Sequence, residues 1–173
     1  MLNITTPKPN DAEAMNEVIK SSWYATYINT EIGVTKEDID VMYAESEKKQ
    51  IESFRHRTEF PNDTDITLIA KEDEKVVGII RALILDDHVR VRTLYIHPDF
   101  VGKGIGTMLW NEILKKLPPD KNVVAFPAEH TRSIEWYKKM GFVETGEKQT
   151  DDEAMPVSGV HLGTVKMQLN RKK

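Results

Sequence analysis

No cysteine occurs anywhere in the 173 residues. That absence excludes disulfides, thiolate metal sites and any mechanism that places a transferred group on a cysteine sulfur. Long apolar runs are missing too, since none approaches the roughly 20 residues needed to span a bilayer. The opening Met1-Leu2-Asn3-Ile4-Thr5-Thr6-Pro7 lacks the charged and then apolar zones of a secretory signal, so a cytoplasmic protein without membrane attachment is expected. Positive charge is not in excess: 24 Lys and Arg face 28 Asp and Glu, for a net −4. This leaves no general attraction to nucleic acid, and the basic run Arg171-Lys172-Lys173 reads as a solvated tail. The five histidines and the carboxylates are scattered without metal-ligand spacing, so no metal is expected. No repeat, low-complexity tract or Pro/Gly/Ser linker divides the chain, and a single domain over residues 1–173 is predicted.

The apolar periodicity changes along the chain. Residues 2–6 read as a short strand ended by Pro7 and Pro9. Asn10 or Asp11 then caps a helix on which Ala14, Met15, Val18, Ile19 and Trp23 recur at helical spacing. After Gly33, a second helix is predicted over 35–57, with Thr35 and Asp38 as a capping pair. Residues 66–70 and 76–85 are β-branched and aliphatic runs around a charged turn, followed by a strand over 88–96. These three neighbours imply an antiparallel meander. From Gly104 the period is helical again, with Ile105, Leu109, Ile113 and Leu117 on one face and Pro118-Pro119 as the stop. A short strand at 123–126 precedes a helix capped by Thr131 and stopped by Gly141, and strands at 142–147 and 162–169 follow. The pattern is that of an α/β (α+β) sandwich.

The segment Leu94-Tyr95-Ile96-His97-Pro98-Asp99-Phe100-Val101-Gly102-Lys103-Gly104-Ile105-Gly106 carries the chemistry. A strand runs into a glycine turn that opens directly into a helix. Glycines let the main chain turn tightly and approach a ligand, and the first helical turn points free N–H groups outwards. Those donors and the helix dipole suit a pyrophosphate, and Lys103 adds positive charge. A Walker pattern is absent, and a Rossmann fingerprint begun at Gly102 fails because Thr107 stands where its third glycine belongs.

What remains is a close resemblance to the GNAT superfamily of N-acetyltransferases. The residues 96–109 resemble its acetyl-CoA segment, Gln/Arg-x-x-Gly-x-Gly/Ala. The run His130-Thr131-Arg132-Ser133-Ile134-Glu135-Trp136-Tyr137-Lys138-Lys139-Met140-Gly141-Phe142 resembles its second signature. The element order extends the likeness over nearly the whole chain. It implies a mixed, mostly antiparallel sheet of about seven strands flanked by about four helices. It also implies acetyl-CoA as acetyl donor and a small-molecule or peptide amine as acceptor, with the protein a monomer or homodimer.

By the same resemblance, Leu94, Tyr95 and Ile96 lie along the pantetheine arm, with main-chain groups of Leu94 and Ile96 pairing with its amides. The amides of Gly102, Lys103, Gly104, Ile105, Gly106 and Thr107 hold the pyrophosphate, with Val101 at the start of the turn. Tyr137 is the general acid for the departing thiolate. Val101 stands where the family has Gln or Arg, which spares the main-chain donors, and His130 stands where it has Asn, still able to donate a hydrogen bond. Where some relatives carry a basic Glu on the strand before the turn, this chain has Arg90 and Arg92. Glu129 or a water relay is the expected base. Trp23, Tyr24 and Tyr27 are read first as helical core, although the family often builds its acceptor pocket there. Glu31, Glu37, Asp38, Asp40, Asp151, Asp152 and Glu153 lie on segments expected to border that pocket. They predict a polyamine-like or other cationic acceptor. A non-catalytic acyl-CoA-binding or sensing domain is the alternative.

Overall fold

The structure is a computed structural model and describes residues 1–150 and 154–171. The elements in chain order are β1 (Leu2–Thr5), α1 (Ala12–Tyr27), α2 (Lys36–Glu59), β2 (Asp65–Glu72), β3 (Lys75–Ile84), β4 (His88–Ile96), α3 (Ile105–Leu114), β5 (Asn122–Ala125), α4 (Ser133–Lys139), β6 (Val143–Thr150) and β7 (Gly163–Leu169). Short 3-10 turns over Pro9–Asp11 and Pro98–Phe100 precede α1 and α3. The seven strands form one sheet in the order β1-β2-β3-β4-β5-β7-β6. Only β4 and β5 pair in parallel among the described residues; the other neighbours are antiparallel. The expected mixed, mostly antiparallel sheet with four helices is what forms.

Both faces of this sheet are covered, which is why its central strands read as near-continuous apolar runs. On β2, Leu68 and Ala70 join one core with Leu109 and Ile113 of α3 and Tyr137 of α4. Ile69 joins the opposite core with Met15, Val18 and Ile19 of α1 and Phe54 of α2. A third cluster, with Val34, Ile39, Tyr43, Met155 and Leu162, fills the space beneath the α1–α2 connection and the approach to β7. Leu109 is fully buried, and truncating it to Ala should cost about 2–5 kcal/mol. No described helix is long and apolar enough to cross a membrane.

One irregularity sets the chemistry of β4. Arg81 pairs with Thr93 but its neighbour Ala82 pairs with Val91, so Arg92 is an extra residue in the ladder. Such a bulge changes which face each later side chain takes. Before it, Val89 and Val91 enter the α3 core; after it, Leu94 and Ile96 do. Arg90, Arg92 and Tyr95 all look the other way, into a cavity described below.

The local caps account for several boundaries. Thr35 Oγ1 accepts from the Asp38 N–H at 3.2 Å while Asp38 Oδ2 accepts from the Thr35 N–H at 2.8 Å, the reciprocal capping pair expected at the start of α2. The expectation at α4 needs correction. Its N-cap is Arg132, because the Thr131 hydroxyl bonds back to the Ala128 carbonyl at 2.7 Å. Helix α3 also ends earlier than the proline pair suggests, at Leu114. Tight turns, Lys116 N–H to Ile113 C=O at 2.9 Å and Leu117 N–H to Leu114 C=O at 3.3 Å, still bury Leu117.

Candidate active site

The sheet opens where its parallel pair ends. β4 and β5 are in register from His88 opposite Asn122 to Val91 opposite Ala125. Past Ala125 the chain leaves β4 and follows β7: the Val165 N–H bonds to Pro127 C=O at 3.0 Å and the Glu129 N–H to Gly163 C=O at 2.8 Å. Among the described residues, the β5-side edge of β4 from Thr93 to Ile96 therefore faces no strand, and main-chain groups of Leu94 to Ile96 border a cleft. Helix α1 is anchored to that edge, because the Ser22 hydroxyl lies 2.8 Å from the Ile96 carbonyl and 2.7 Å from that of Val18.

The glycine turn lies at the end of this cleft. His97 Nδ1 accepts from the Asp99 N–H at 3.3 Å and stacks edge-on against Phe100, so this histidine shapes the turn. Gly102 and Gly104 follow in the left-handed region, at φ 84° and 79°, where a side chain would be strained. The first bond into α3 from outside runs from the Met108 N–H to Gly104 C=O at 3.0 Å. No main-chain carbonyl among the described residues takes the N–H groups of residues 102–107. A Cβ on Gly102 or Gly104 would meet nothing within 4 Å, so the space over the turn is open. Gly106 differs: its Cβ would lie 3.6 Å from Trp136 Nε1. Val101 is 65% exposed, and the Lys103 ammonium sits 4.3 Å from the Phe100 ring centre at the rim. The donor set, open space and positive end of α3 fit a pyrophosphate.

Tyr137 lies in the core beneath the cleft, 6% exposed, with its ring 5.0 Å from Phe142 and 5.1 Å from Trp136. Its place is fixed by the end of α4. Gly141 turns left-handed at φ 91°, and the Phe142 N–H returns to the Tyr137 carbonyl at 3.0 Å. Burial, and next the nearby Tyr95, push the phenol well above its usual range, so it stays protonated at neutral pH. It is therefore a proton donor that gives up its proton only to a strong base formed beside it.

Glu129 is engaged elsewhere. Its carboxylate pairs with the Lys148 ammonium at 2.7 Å, and that bond holds it below the usual carboxylate range. A carboxylate so held is a weak proton acceptor. His130, next to it, is exposed and adopts a left-handed φ of 63°.

On the α1 side of β4 lies a cavity of about 300 Å³. Arg90, Val91, Arg92 and Tyr95 of β4 line it, facing Trp23 and Tyr27 of α1, with Phe126 and Ala128 after β5 and Gln149, Leu162 and Thr164 completing the wall. Trp23 and Tyr27 pack on one another with ring centres 4.4 Å apart, so they are cavity wall as well as core. The carboxylates expected around this pocket are not among its described lining. Asp38 is fully buried and holds the main chain: its Oδ1 accepts from the Val157 and Ser158 N–H groups at 2.8 Å each. Asp40 is bonded to Lys36 and Tyr24, whose phenol it drives up to about 12 through the shared hydrogen bond. Glu31 and Glu37 are exposed outside the lining, and Asp151, Asp152 and Glu153 lie outside the described residues. The two arginines were legible as a same-face pair, since they alternate with the core residues Val89 and Val91.

Residues 32–142 match the acetyltransferase (GNAT) family. The chain is 30% identical over 105 residues, 61% of its own length and 68% of the relative's, to the peptidyl-lysine N-acetyltransferase YjaB of Salmonella typhimurium. Its fold is similar to that of the PaiA N-acetyltransferase of Thermoplasma acidophilum, solved with coenzyme A, with a TM-score of 0.73 at 22% identity over 100% of this chain and 99% of that one. It is also similar to YncA of Salmonella typhimurium, solved with acetyl-CoA, with a TM-score of 0.68 at 18% identity over 100% and 95%. The chain thus belongs to the acetyltransferase (GNAT) family and is an acetyl-CoA-dependent N-acetyltransferase.

Proposed function

We propose that the protein moves the acetyl group of acetyl-CoA directly to a primary amine within a ternary complex. In this reading the donor lies along Leu94, Tyr95 and Ile96, with its pyrophosphate over residues 101–107 and His130 at the side. The observation that carries it is the juxtaposition of three features: the unpaired amides opening α3, the strandless edge of β4 and the protonated Tyr137 beneath both. Residues 1–173 are taken as one acetyltransferase domain, supported by a sheet that draws strands from Leu2 to Leu169.

The amine nitrogen attacks the thioester carbonyl, the carbon–sulfur bond breaks and the sulfur takes the proton of Tyr137. Holding both reactants supplies much of the acceleration, because the step becomes intramolecular. A free thiol has a reference pKa of about 8.5, so protonating the thiolate from a buried phenol is uphill and depends on position. Water in the open cavity is the better acceptor for the amine's proton, because Glu129 is held by Lys148. The cationic-amine expectation rested on seven carboxylates, and the four that are described are engaged or lie outside the cavity lining. The described lining therefore offers a cationic amine no carboxylate partner.

The test is release of CoA from acetyl-CoA over a panel of small amines and lysine peptides. Wild type should show transfer with intersecting initial-rate lines, as expected without a cysteine to carry the acetyl group. Parallel lines with an isolable acetyl-enzyme, or acetyl-CoA binding without transfer to any amine, would overturn the reading.

A further inference from the structure

Resting on the transfer reaction proposed above, we propose that the acceptor carries a small oxyanion, a carboxylate or phosphate, and that Arg90 and Arg92 bind it. Both side chains line the cavity on the α1 side of β4, beside the aromatic rings of Trp23, Tyr27 and Phe126. The described lining contains no carboxylate to balance them. Neither arginine has an ion pair or hydrogen bond among the described residues.

Arg81, on the adjoining strand β3, shows how this protein treats an arginine with a structural role. Its guanidinium is clamped by Asp65 through two bonds of 2.7 Å. Arg90 has only the Phe126 ring, 4.8 Å from its guanidinium carbon. Burial first, and next the charge of Arg92, make Arg90 easier to deprotonate than an ordinary arginine, and no carboxylate of the described lining offsets them. An incoming oxyanion relieves that repulsion and accepts charge-assisted hydrogen bonds.

Spacing adds to the case. Residues two apart on one face of a strand are roughly 7 Å apart, so the pair can bracket one oxyanion. The strandless edge begins at the next residue along β4, which puts the anion a short spacer from the reacting amine. Two guanidinium groups against one carboxylate leave the described lining net positive, which disfavours the ammonium form of the amine; against a phosphate dianion they balance it.

The experiment compares matched acceptors in the intact protein: β-alanine against β-alanine amide, 2-aminoethyl phosphate against ethanolamine, and 1,3-diaminopropane. The acid-bearing member of each pair should have the higher kcat/KM by about 10- to 100-fold at low salt, the worth of a charge-assisted contact. Raising ionic strength should shrink that gap. Comparison of the two acids distinguishes carboxylate from phosphate. Arg92→Gln and Arg90→Gln should each narrow the gap about tenfold, mainly through KM and with donor affinity unchanged, and Arg92→Lys should restore part of it. If the neutral partners or the diamine match the acids, or the variants keep the ranking, the anion site is wrong. Calorimetry with N-acetyl-β-alanine and its amide separates this failure from failure of the reaction. Arg-dependent preference for the acid supports the anion site even if no probe is acetylated. Equal binding overturns it even if transfer is seen.

Discussion

Strand β4 presents two different kinds of surface within nine residues. Beyond Val91 its edge offers main-chain groups to a cleft that continues into the glycine turn and the amides of α3. On its α1 face it offers side chains, Arg90, Arg92 and Tyr95, to a walled cavity. A main-chain surface depends on where strands separate and on which residues can take positive φ, and it tolerates changes in side chain. A side-chain surface depends on identity. The proposed donor side is of the first kind and the proposed acceptor side of the second, so they should fail under different substitutions.

The largest effect should come from reshaping the turn. Gly104→Val forces a branched side chain into a left-handed N-cap and fills the open space above it. Acetyl-CoA affinity should fall by at least about 100-fold, and with it the stabilisation of roughly 2.7 kcal/mol expected at 100 times the dissociation constant. A folded variant that keeps the full thermal shift with CoA would break the assignment of the turn. Next is Tyr137→Phe, which removes one hydroxyl and keeps the ring contacts with Phe142 and Trp136. Turnover should drop about 10- to 1000-fold with donor affinity nearly unchanged; equal single-turnover rates would assign the proton to another group.

Asp38 tests the frame behind the acceptor side. Asp38→Ala strands the N–H groups of Thr35, Val157 and Ser158, and should cost about 3 kcal/mol or more, lowering Tm by roughly 6–12 °C. Burial raises this carboxyl, but the bonds from Ser158 and Thr35 outweigh it and hold the group far below its usual range. Its contribution should be complete above about pH 4, the unfolded value, and fade as pH falls towards the folded one. Melting from pH 7 to pH 3 should therefore bring wild type and Asp38→Asn closer together; a constant gap would mean that the carboxylate charge is not what the loop amides bind. The smallest effect belongs to Val101→Ala. Its N–H is taken by the Pro98 carbonyl at 3.2 Å and its side chain is exposed, so KM for acetyl-CoA should change by no more than about threefold, and a larger change would make the turn a side-chain surface after all.

This division also explains what was readable in the sequence. The glycines, the capping pair Thr35 and Asp38 and the alternation around Val89 and Val91 are local signals, and the elements they predict form. Thr131 misled because a hydroxyl can serve a carbonyl behind it as easily as an amide ahead, and it took the Ala128 carbonyl. The acidic residues misled for a longer-range reason. The partners of Asp38 Oδ1 are 119 and 120 positions away in sequence, so the residues near Asp38 disclose its cap with Thr35 but not the loop amides that take its other oxygen. Glu129 met its lysine in the same manner, across to β6.

The extra residue at Arg92 gives β4 a parity. Up to the bulge, odd-numbered residues Val89 and Val91 belong to the core; after it, even-numbered Leu94 and Ile96 do. Deleting Arg92 or Thr93 would leave Val91 and Leu94 two positions apart, so simple alternation would keep all four apolar residues on the α3 face. A deletion elsewhere in the strand flips one half against the other. Without Val91, and with the Leu94 half in place, Val89 would turn to the cavity and the Arg90 guanidinium would be driven into the α3 core, a cost of several kcal/mol for a buried charge. Without Leu94, and with the arginine half in place, Tyr95 would enter the core and Ile96 would face α1. Single-residue deletions in β4 outside the bulge should therefore be far more damaging than substitutions at the same positions. The strand carries a length constraint independent of any one side chain, because two oppositely phased surfaces meet at a single residue.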